Sequence, residues 1–232
     1  LTAAAVRRRV RPLGDPERAR GLLRFFKTGP GEYGEGDRFL GLTLTLIRQV
    51  EREFRGLPLG EAVKLLHSPW HEERTLALLF MVRLYDRGDA GARAAVFHAY
   101  FDNVAHINNW DLVDLSAPHI VGRHLVDGDR RLLRRLARSK LLWERRIAIV
   151  ATLYFIRANQ FADTLEIAAL LLGERADLIH KATGWMLREV GKRDGQALRG
   201  FLDRYARTMP RTALRYAIER FPEAERRRYM AR

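Results

Sequence analysis

Trp110 and Asp114 stand four residues apart in the stretch His106-Ile107-Asn108-Asn109-Trp110-Asp111-Leu112-Val113-Asp114, so a helix there turns both to one face. An indole plane beside a carboxylate can hold a cationic ring and stabilise positive charge that develops nearby. Asn108 or Asn109 can cap such a helix, which places Asp111 in its first turn, where the helix dipole favours a carboxylate. A core Trp with a surface Asp in a salt bridge fits the same spacing. Arg146 follows Trp110 by 36 residues and opens an otherwise apolar helix, where a charge without a partner is costly. A carboxylate such as Asp114, or a phosphate, would answer it, and so would a structural pair with Glu144 or Asp111. Its neighbour Arg145 competes for the inward position.

Two further stretches combine basic and apolar residues. In HKATGWMLRE, Lys181, Trp185 and Arg188 form one helical stripe, and Gly184 beside the indole lets a backbone approach closely. Charge for phosphate with a ring for sugar or base is the make-up of a nucleic-acid groove. Between Arg123 and Arg146 nine basic residues stand against three acids. Arg131, Arg135 and Arg138 border the apolar Leu132, Leu133 and Leu136, with Lys140 just beyond, which suits phosphate contact as well as a solvated face. Trp70 and Trp143 read as core.

Other chemistries find little support. The chain has no Cys, which removes disulfides, thiolate metal sites and a cysteine nucleophile. His67 and His71 have the spacing of a ligand pair, but Pro69 between them marks a helix start, so no metal site is expected. Gly29–Gly36 (GPGEYGEG) contains a GxGxxG string without a preceding strand, and reads as a connector that carries Tyr33. No Gly-x-Ser-x-Gly elbow or P-loop is present.

The elements that position these residues read as helices throughout. Asp15-Pro16, Ser68-Pro69, Ser139, Asp163 and Met209-Pro210 are helix-start signals, and Leu/Ala/Arg/Glu-rich segments with three- and four-residue apolar spacing lie between them. LTLTLI at 42–47 alternates like a strand but runs into RQVEREF, and reads as the buried half of a helix. SPWHEER (68–74) resembles SKLLWER (139–145), and Ala77, Leu112, Ala148 and Ala182 recur at spacings of 35, 36 and 34. Helix pairs at that period predict a HEAT- or armadillo-like solenoid. The fold class is all-α, with one continuous domain over 1–232: N-terminal helices and a Gly-rich connector at 1–41, a repeat array at about 42–220 and a basic tail at 221–232 that includes Arg226, Arg227 and Arg228.

Lys and Arg number 42 against 28 acidic residues, a net charge of +14, which points to a polyanionic partner. The longest apolar run, Ile147–Ile156, falls short of the roughly 18 residues of a membrane span. The first residues carry their charges after a short Ala patch, the reverse of a secretory signal. These features predict a soluble protein without a membrane partner, located in the cytoplasm and associated with the nucleoid.

WDLVD at 110–114, the Trp-x-Arg-Arg of Trp143–Arg146 and HKATGWMLRE at 180–189 together resemble the AlkD-like DNA alkylation repair family, as does YGEGDRFLG at 33–41. The resemblance covers roughly residues 15–220. It implies a right-handed superhelical solenoid of HEAT-like repeats with a concave basic DNA-binding face. It also implies a monofunctional DNA glycosylase that releases cationic N3- and N7-alkylpurines, such as 3-methyladenine and 7-methylguanine, from double-stranded DNA without flipping the base. Carried over by position, Asp114 would be the catalytic carboxylate, Trp110 and Trp185 the aromatic contacts to deoxyribose, and Arg146 the cation near the lesion backbone. Tyr33, Lys181, Arg188, Arg131, Arg135, Arg138, Lys140 and Arg145 would contact DNA. No cofactor or metal is implied, and a monomer is expected. A catalytically silent DNA-binding solenoid and a solenoid for acidic peptides are the competing classes.

Overall fold

Asp15 is extended backbone, and its carboxylate accepts from the amides of Glu17 and Arg18 while Pro16 opens the helix behind it. Thr43 caps the next helix through Leu46 N–H, so the alternating 42–47 segment is the start of a helix. The computed structural model describes residues 1–231 and is all-α. Among the described residues the one β-type pairing is an isolated bridge between Arg38 and Trp70.

The chain divides into two compact units, Leu1–Ser116 and Ala117–Arg232. The first holds α1 (Ala3–Val10), α2 (Pro16–Phe25), α3 (Leu44–Glu53), α4 (Leu59–Leu66), α5 (His71–Arg87), α6 (Ala90–Asp102) and α7 (Trp110–Ala117), whose last residue opens the second unit. The core of this unit gathers Leu65, Leu66, Leu76, Leu78, Phe80, Met81 and Tyr100, all essentially without exposure. The main helix pair is α4 along α5, with α3 and α6 also against α5.

The second unit begins with a π-helical turn at Pro118–Gly122 and continues with α8 (Arg123–Leu125), α9 (Arg131–Ala137), α10 (Leu142–Ala151), α11 (Leu153–Arg157) and α12 (Ala162–Leu170). It ends with α13 (Asp177–Gly191), α14 (Gly195–Tyr205), α15 (Arg211–Ala217) and α16 (Glu223–Met230). α9 packs on α10, α10 on α13, and α13 on α15. The α13–α15 contact explains Gly184: a Cβ there would stand 2.4 Å from the Ala213 carbonyl oxygen and 2.5 Å from Tyr216 Cβ. The close approach expected at this glycine is between two helix backbones.

The 35-residue recurrence has a structural counterpart in each unit. Ala77, Leu112, Ala148 and Ala182 lie in α5, α7, α10 and α13, and each is at most 1% exposed. SPWHEER and SKLLWER fold alike. The Ser68 and Ser139 hydroxyls accept from the amides two residues on, Trp70 at 3.1 Å and Leu141 at 3.0 Å.

Several boundaries differ from the sequence reading. α5 begins at His71 and α10 at Leu142, because each serine closes a short turn before the helix instead of capping it. Asp163 sits in the first turn of α12 and pairs with Arg130 at 2.6 Å. Trp70 and Trp143 are half-buried, not core. Trp70 occupies the extended residue before α5, where its backbone meets Arg38 and its ring keeps partial exposure.

Candidate functional site

In the first unit the site grows from the start of α7. Asn109 is fully buried: its Oδ1 accepts from Trp110 N–H at 2.8 Å and its Nδ2 donates to Asp37 at 3.2 Å. One Asp111 oxygen accepts from Leu112 N–H at 2.9 Å. With the first turn held in this way, Trp110 and Asp114, both half-buried, line one cavity of about 350 Å³. Its exposed wall is mostly apolar, with Phe25, Phe26, Phe39, Leu42 and Leu44, while Arg48, His71, Glu72 and Asp111 also line it. The predicted sharing of a face by Trp110 and Asp114 is therefore what the fold delivers.

Trp110 is fixed by rings. Phe26 stacks on it with centroids 5.4 Å apart and planes 22° apart, and Phe25 meets it edge-on at 6.0 Å. Phe26 also stacks on Phe39 at 5.0 Å, and both flank the imidazole of His71, at 4.9 and 4.7 Å. Aromatic contacts of this geometry each contribute roughly 0.5–1.5 kcal/mol beyond their buried area. Phe25 itself is 62% exposed, so the rim of the cavity presents a bare ring.

One side of the cavity is a charge cluster that sequence reasoning missed. His71, 3% exposed, has Nδ1 3.1 Å from Asp37 and Nε2 2.7 Å from Asp111. Burial alone would drive this imidazole neutral, but its hydrogen bonds to Asp111 and Asp37, reinforced by their charges, raise its pKa to about 9. At neutral pH it is an imidazolium donating from both nitrogens. Asp37 is likewise buried, and His71 and Arg74 hold its carboxyl below the usual range despite that burial. Glu72 lines the cavity, and its two oxygens accept the consecutive amides of Leu40, Gly41 and Leu42 at 2.8–3.2 Å. Glu73 pairs with Arg7 at 3.1 Å and Arg11 at 2.7 Å.

The string HEER at the start of α5 therefore ties three separate segments to one helix end. Its density of charge at an apolar helix is the visible signal in the sequence. His67 turns elsewhere, stacked on His106 at 4.2 Å. The charge of Asp114 is felt at Tyr100, a fully buried phenol raised first by burial and further by that carboxylate; its hydroxyl lies 3.1 Å from Ser116. Tyr33 is half-buried in the Gly-rich connector, with its hydroxyl donating to the Phe25 carbonyl at 3.4 Å.

The second unit carries the remaining candidates. Arg146, not Arg145, is the inward residue: it is 5% exposed and donates to the Leu178 carbonyl at 2.5 Å. Arg145 instead reaches Glu174 at 3.1 Å. Trp185 lines a depression of about 250 Å³ with Leu153, Ile156, Arg157, Glu189 and Arg193. Lys181 bridges Asp177 at 2.7 Å, and Arg188 bridges Glu219. On α9, Arg131 and Arg135 are exposed, as are Arg138 just after it and Lys140 beyond. Arg131 is bound to Asp129 at 2.5 Å, which holds that carboxyl at about 2. The stripe next to Leu133 and Leu136 is thus exposed as expected, with part of its charge answered internally.

Among the described residues no group of His, Asp and Glu is placed to hold a metal ion, and no helix is long and apolar enough to cross a membrane. No curated protein matches the sequence. Among solved structures the chain is similar to one described as a predicted DNA alkylation repair enzyme from Enterococcus faecalis, with TM-score 0.68 and 17% identity over 90% of this chain and 97% of that one. The family model described as DNA alkylation repair enzyme matches residues 6–221. Its match spans nearly the whole sequence, both units included, and the chain belongs to the DNA alkylation repair enzyme family.

Proposed function

We propose that the protein is a monofunctional DNA glycosylase that hydrolyses the N-glycosidic bond of N3- or N7-alkylated purines in double-stranded DNA. The observation that carries this reading is the placement of Asp114 beside the ring-fixed Trp110 on an apolar cavity. A carboxylate against such a wall acts through a lower dielectric than water, so its field on a nearby cation is stronger. Alkylation at N3 or N7 leaves the purine positively charged. As the C1′–N bond breaks, its electron pair neutralises the base, and positive charge passes to the sugar as an oxocarbenium ion. Asp114 stabilises that ion and orients a water whose oxygen bonds to C1′ and whose proton leaves to solvent. The products are a neutral free base and an abasic site.

Trp110, through the ring surface that Phe26 does not cover, and Trp185 are assigned to deoxyribose, and Arg146 to the lesion backbone, which it reaches by exchanging its bond to the Leu178 carbonyl for phosphate. Base flipping is not required, because the groups invoked act on sugar and phosphate. Tyr33, Lys181, Arg188, Arg131, Arg135, Arg138, Lys140 and Arg145 supply further contacts to DNA, several of them by exchanging an internal carboxylate for phosphate. The HEAT-like repeat reading belongs to the same proposal, supported by the buried recurrence of Ala77, Leu112, Ala148 and Ala182.

The test is release of 7-methylguanine and 3-methyladenine from defined duplexes by the wild type beside Asp114→Asn. A preorganised carboxylate supplying about 3–4 kcal/mol predicts a loss of roughly 10²–10³-fold in single-turnover excision with affinity kept. Binding without release by the wild type would replace the glycosylase by a non-catalytic DNA-binding protein.

A further inference from the structure

α3 and α5 carry a second constellation that none of the site residues above includes. On α3, Arg48 and Arg52 lie four residues apart, with Arg55 one turn beyond, and all three are exposed. Opposite them on α5, Arg83 and Arg87 repeat the same interval. Arg48, Arg52, Arg83 and Arg87 line one open cavity of about 330 Å³, together with Glu51, Asp86 and an apolar floor of Leu79 and Val82. Four guanidiniums thus face two carboxylates. Glu51, 6% exposed, is gripped by both Nε and Nη2 of Arg83, the latter at 2.7 Å. That pair braces the groove and leaves Arg48, Arg52 and Arg87 as its outward charges.

The groove is continuous with its neighbours on the same unit. Arg48 and Leu79 also line the Trp110–Asp114 cavity, and Arg83 and Arg87 also line a further depression that includes Arg55. From Thr75 to Arg87 the three depressions follow twelve residues of α5, a length of about 18 Å at the helical rise. One DNA strand rises about 3.4 Å per nucleotide along the duplex axis, and its backbone winds around that axis. A strand following this track therefore places fewer than about five phosphates on it. Planar guanidinium forks in series suit the oxygens of regularly spaced phosphates, and the apolar floor carries the arginine stems.

We propose that the α3–α5 arginine groove holds the phosphodiester backbone of the strand that runs out of the Trp110–Asp114 cavity. The assignment rests on the DNA reading above but not on catalysis, and it is tested with undamaged duplex. Binding of a fluorescent duplex of random sequence is measured from low to moderate salt for the full chain and for Arg48→Gln/Arg52→Gln/Arg87→Gln. The reference variant Arg204→Gln/Arg207→Gln/Arg220→Gln removes equal charge from exposed positions elsewhere. Loss of three phosphate contacts predicts an affinity loss of at least tenfold near 0.1 M salt and a log–log salt slope shallower by about 2–3.

The reference variant is expected to keep most of the wild-type slope, and Arg48→Lys/Arg52→Lys/Arg87→Lys to restore most of the slope lost with Gln. Equal losses in the groove and reference variants would overturn the proposal in favour of bulk charge. So would an unchanged slope, or tighter binding to a polyglutamate probe than to duplex. Each variant's far-ultraviolet dichroism and melting curve show that the exposed substitutions leave the fold intact. Excision assays fail or succeed independently: a wild type that never releases base while the groove variant loses its slope removes the glycosylase and keeps the groove.

Discussion

Arg74 and Arg145, in different helices, make the same hydrogen bond: each Nη1 donates to the carbonyl six residues earlier, Ser68 at 3.1 Å and Ser139 at 2.7 Å. His180 repeats the reach toward Glu174, at 2.7 Å. In every case the donor stands in the fourth position of its helix and satisfies a carbonyl in the turn just before it. The shared chemistry differs in its setting, since Arg74 is also the cation for buried Asp37 while Arg145 is part-exposed beside Glu174. Arg74→Ala is therefore expected to destabilise by about 3–5 kcal/mol, because it leaves a buried carboxylate short of its charge partner. Arg145→Ala is expected to cost about 1 kcal/mol. Urea denaturation of the two variants reads the difference, and equal costs would refute it.

The His71 cluster makes stability depend on pH from both sides. The folded pKa of His71, about 9 against 6.5 for the free group, means its contribution is complete below 6.5 and is lost as pH rises through about 9. That interval corresponds to about 3 kcal/mol. Asp37 works in the opposite sense: lowered by His71 and Arg74, its contribution is present above the usual carboxylate range and is lost on acidification. Stability measured from pH 5 to 9.5 is expected to decline on the alkaline side, and His71→Asn to remove most of that slope. An alkaline limb identical in the variant would show that another group titrates.

Phe25 and Phe26 separate exposure from support. Phe26 is 7% exposed and stacked on Trp110, so Phe26→Ala is expected to cost about 3–5 kcal/mol and to lower excision through a displaced indole. Phe25→Ala, at an exposed rim but edge-on to Trp110 and Phe26, is expected to cost about 0.5–1.5 kcal/mol, well short of the loss at Phe26. Any loss of excision in Phe25→Ala then reports the rim itself, and comparing melts with single-turnover rates distinguishes the two.

A methyl group placed between α13 and α15 gives a purely steric test. Gly184→Ala drives its Cβ into the Ala213 carbonyl and Tyr216 Cβ, with an expected cost of about 1–3 kcal/mol. Gly200→Ala, in α14 with nothing within 4 Å of the added carbon, is expected to stabilise by about 0.5–1 kcal/mol. Chemical denaturation of the pair reads both signs, and two changes of the same sign would contradict the geometry.

What could be read from the chain follows the range of each interaction. The helical class, the Asp15-Pro16 start and the shared face of Trp110 and Asp114 depend on neighbours within one or two turns, so residue types and spacing reveal them. The Ser68/Ser139 likeness was legible because the same short motif builds the same turn twice. His71 was not legible as a cation, because its charge depends on Asp37 and Asp111, which lie 34 and 40 residues away in the chain. Nor was the partnering of Arg131 and Lys181 with nearby acids distinguishable from a free basic stripe, since only side-chain rotamers decide it.

The three-amide grip of Glu72 on Leu40, Gly41 and Leu42, with Asp15 N–H on the Leu40 carbonyl at 2.8 Å, fixes Phe39 and Leu42 as cavity wall. Upstream, Gly34 N–H closes onto the Lys27 carbonyl at 3.1 Å, so residues 28–33 form a separate excursion. Chain length at Pro30-Gly31 is thereby decoupled from the wall, and doubling the excursion costs only about 0.6 kcal/mol of closure entropy. That makes this loop a natural graft point, where an epitope or a dye-bearing segment can be inserted without remoulding the cavity behind it.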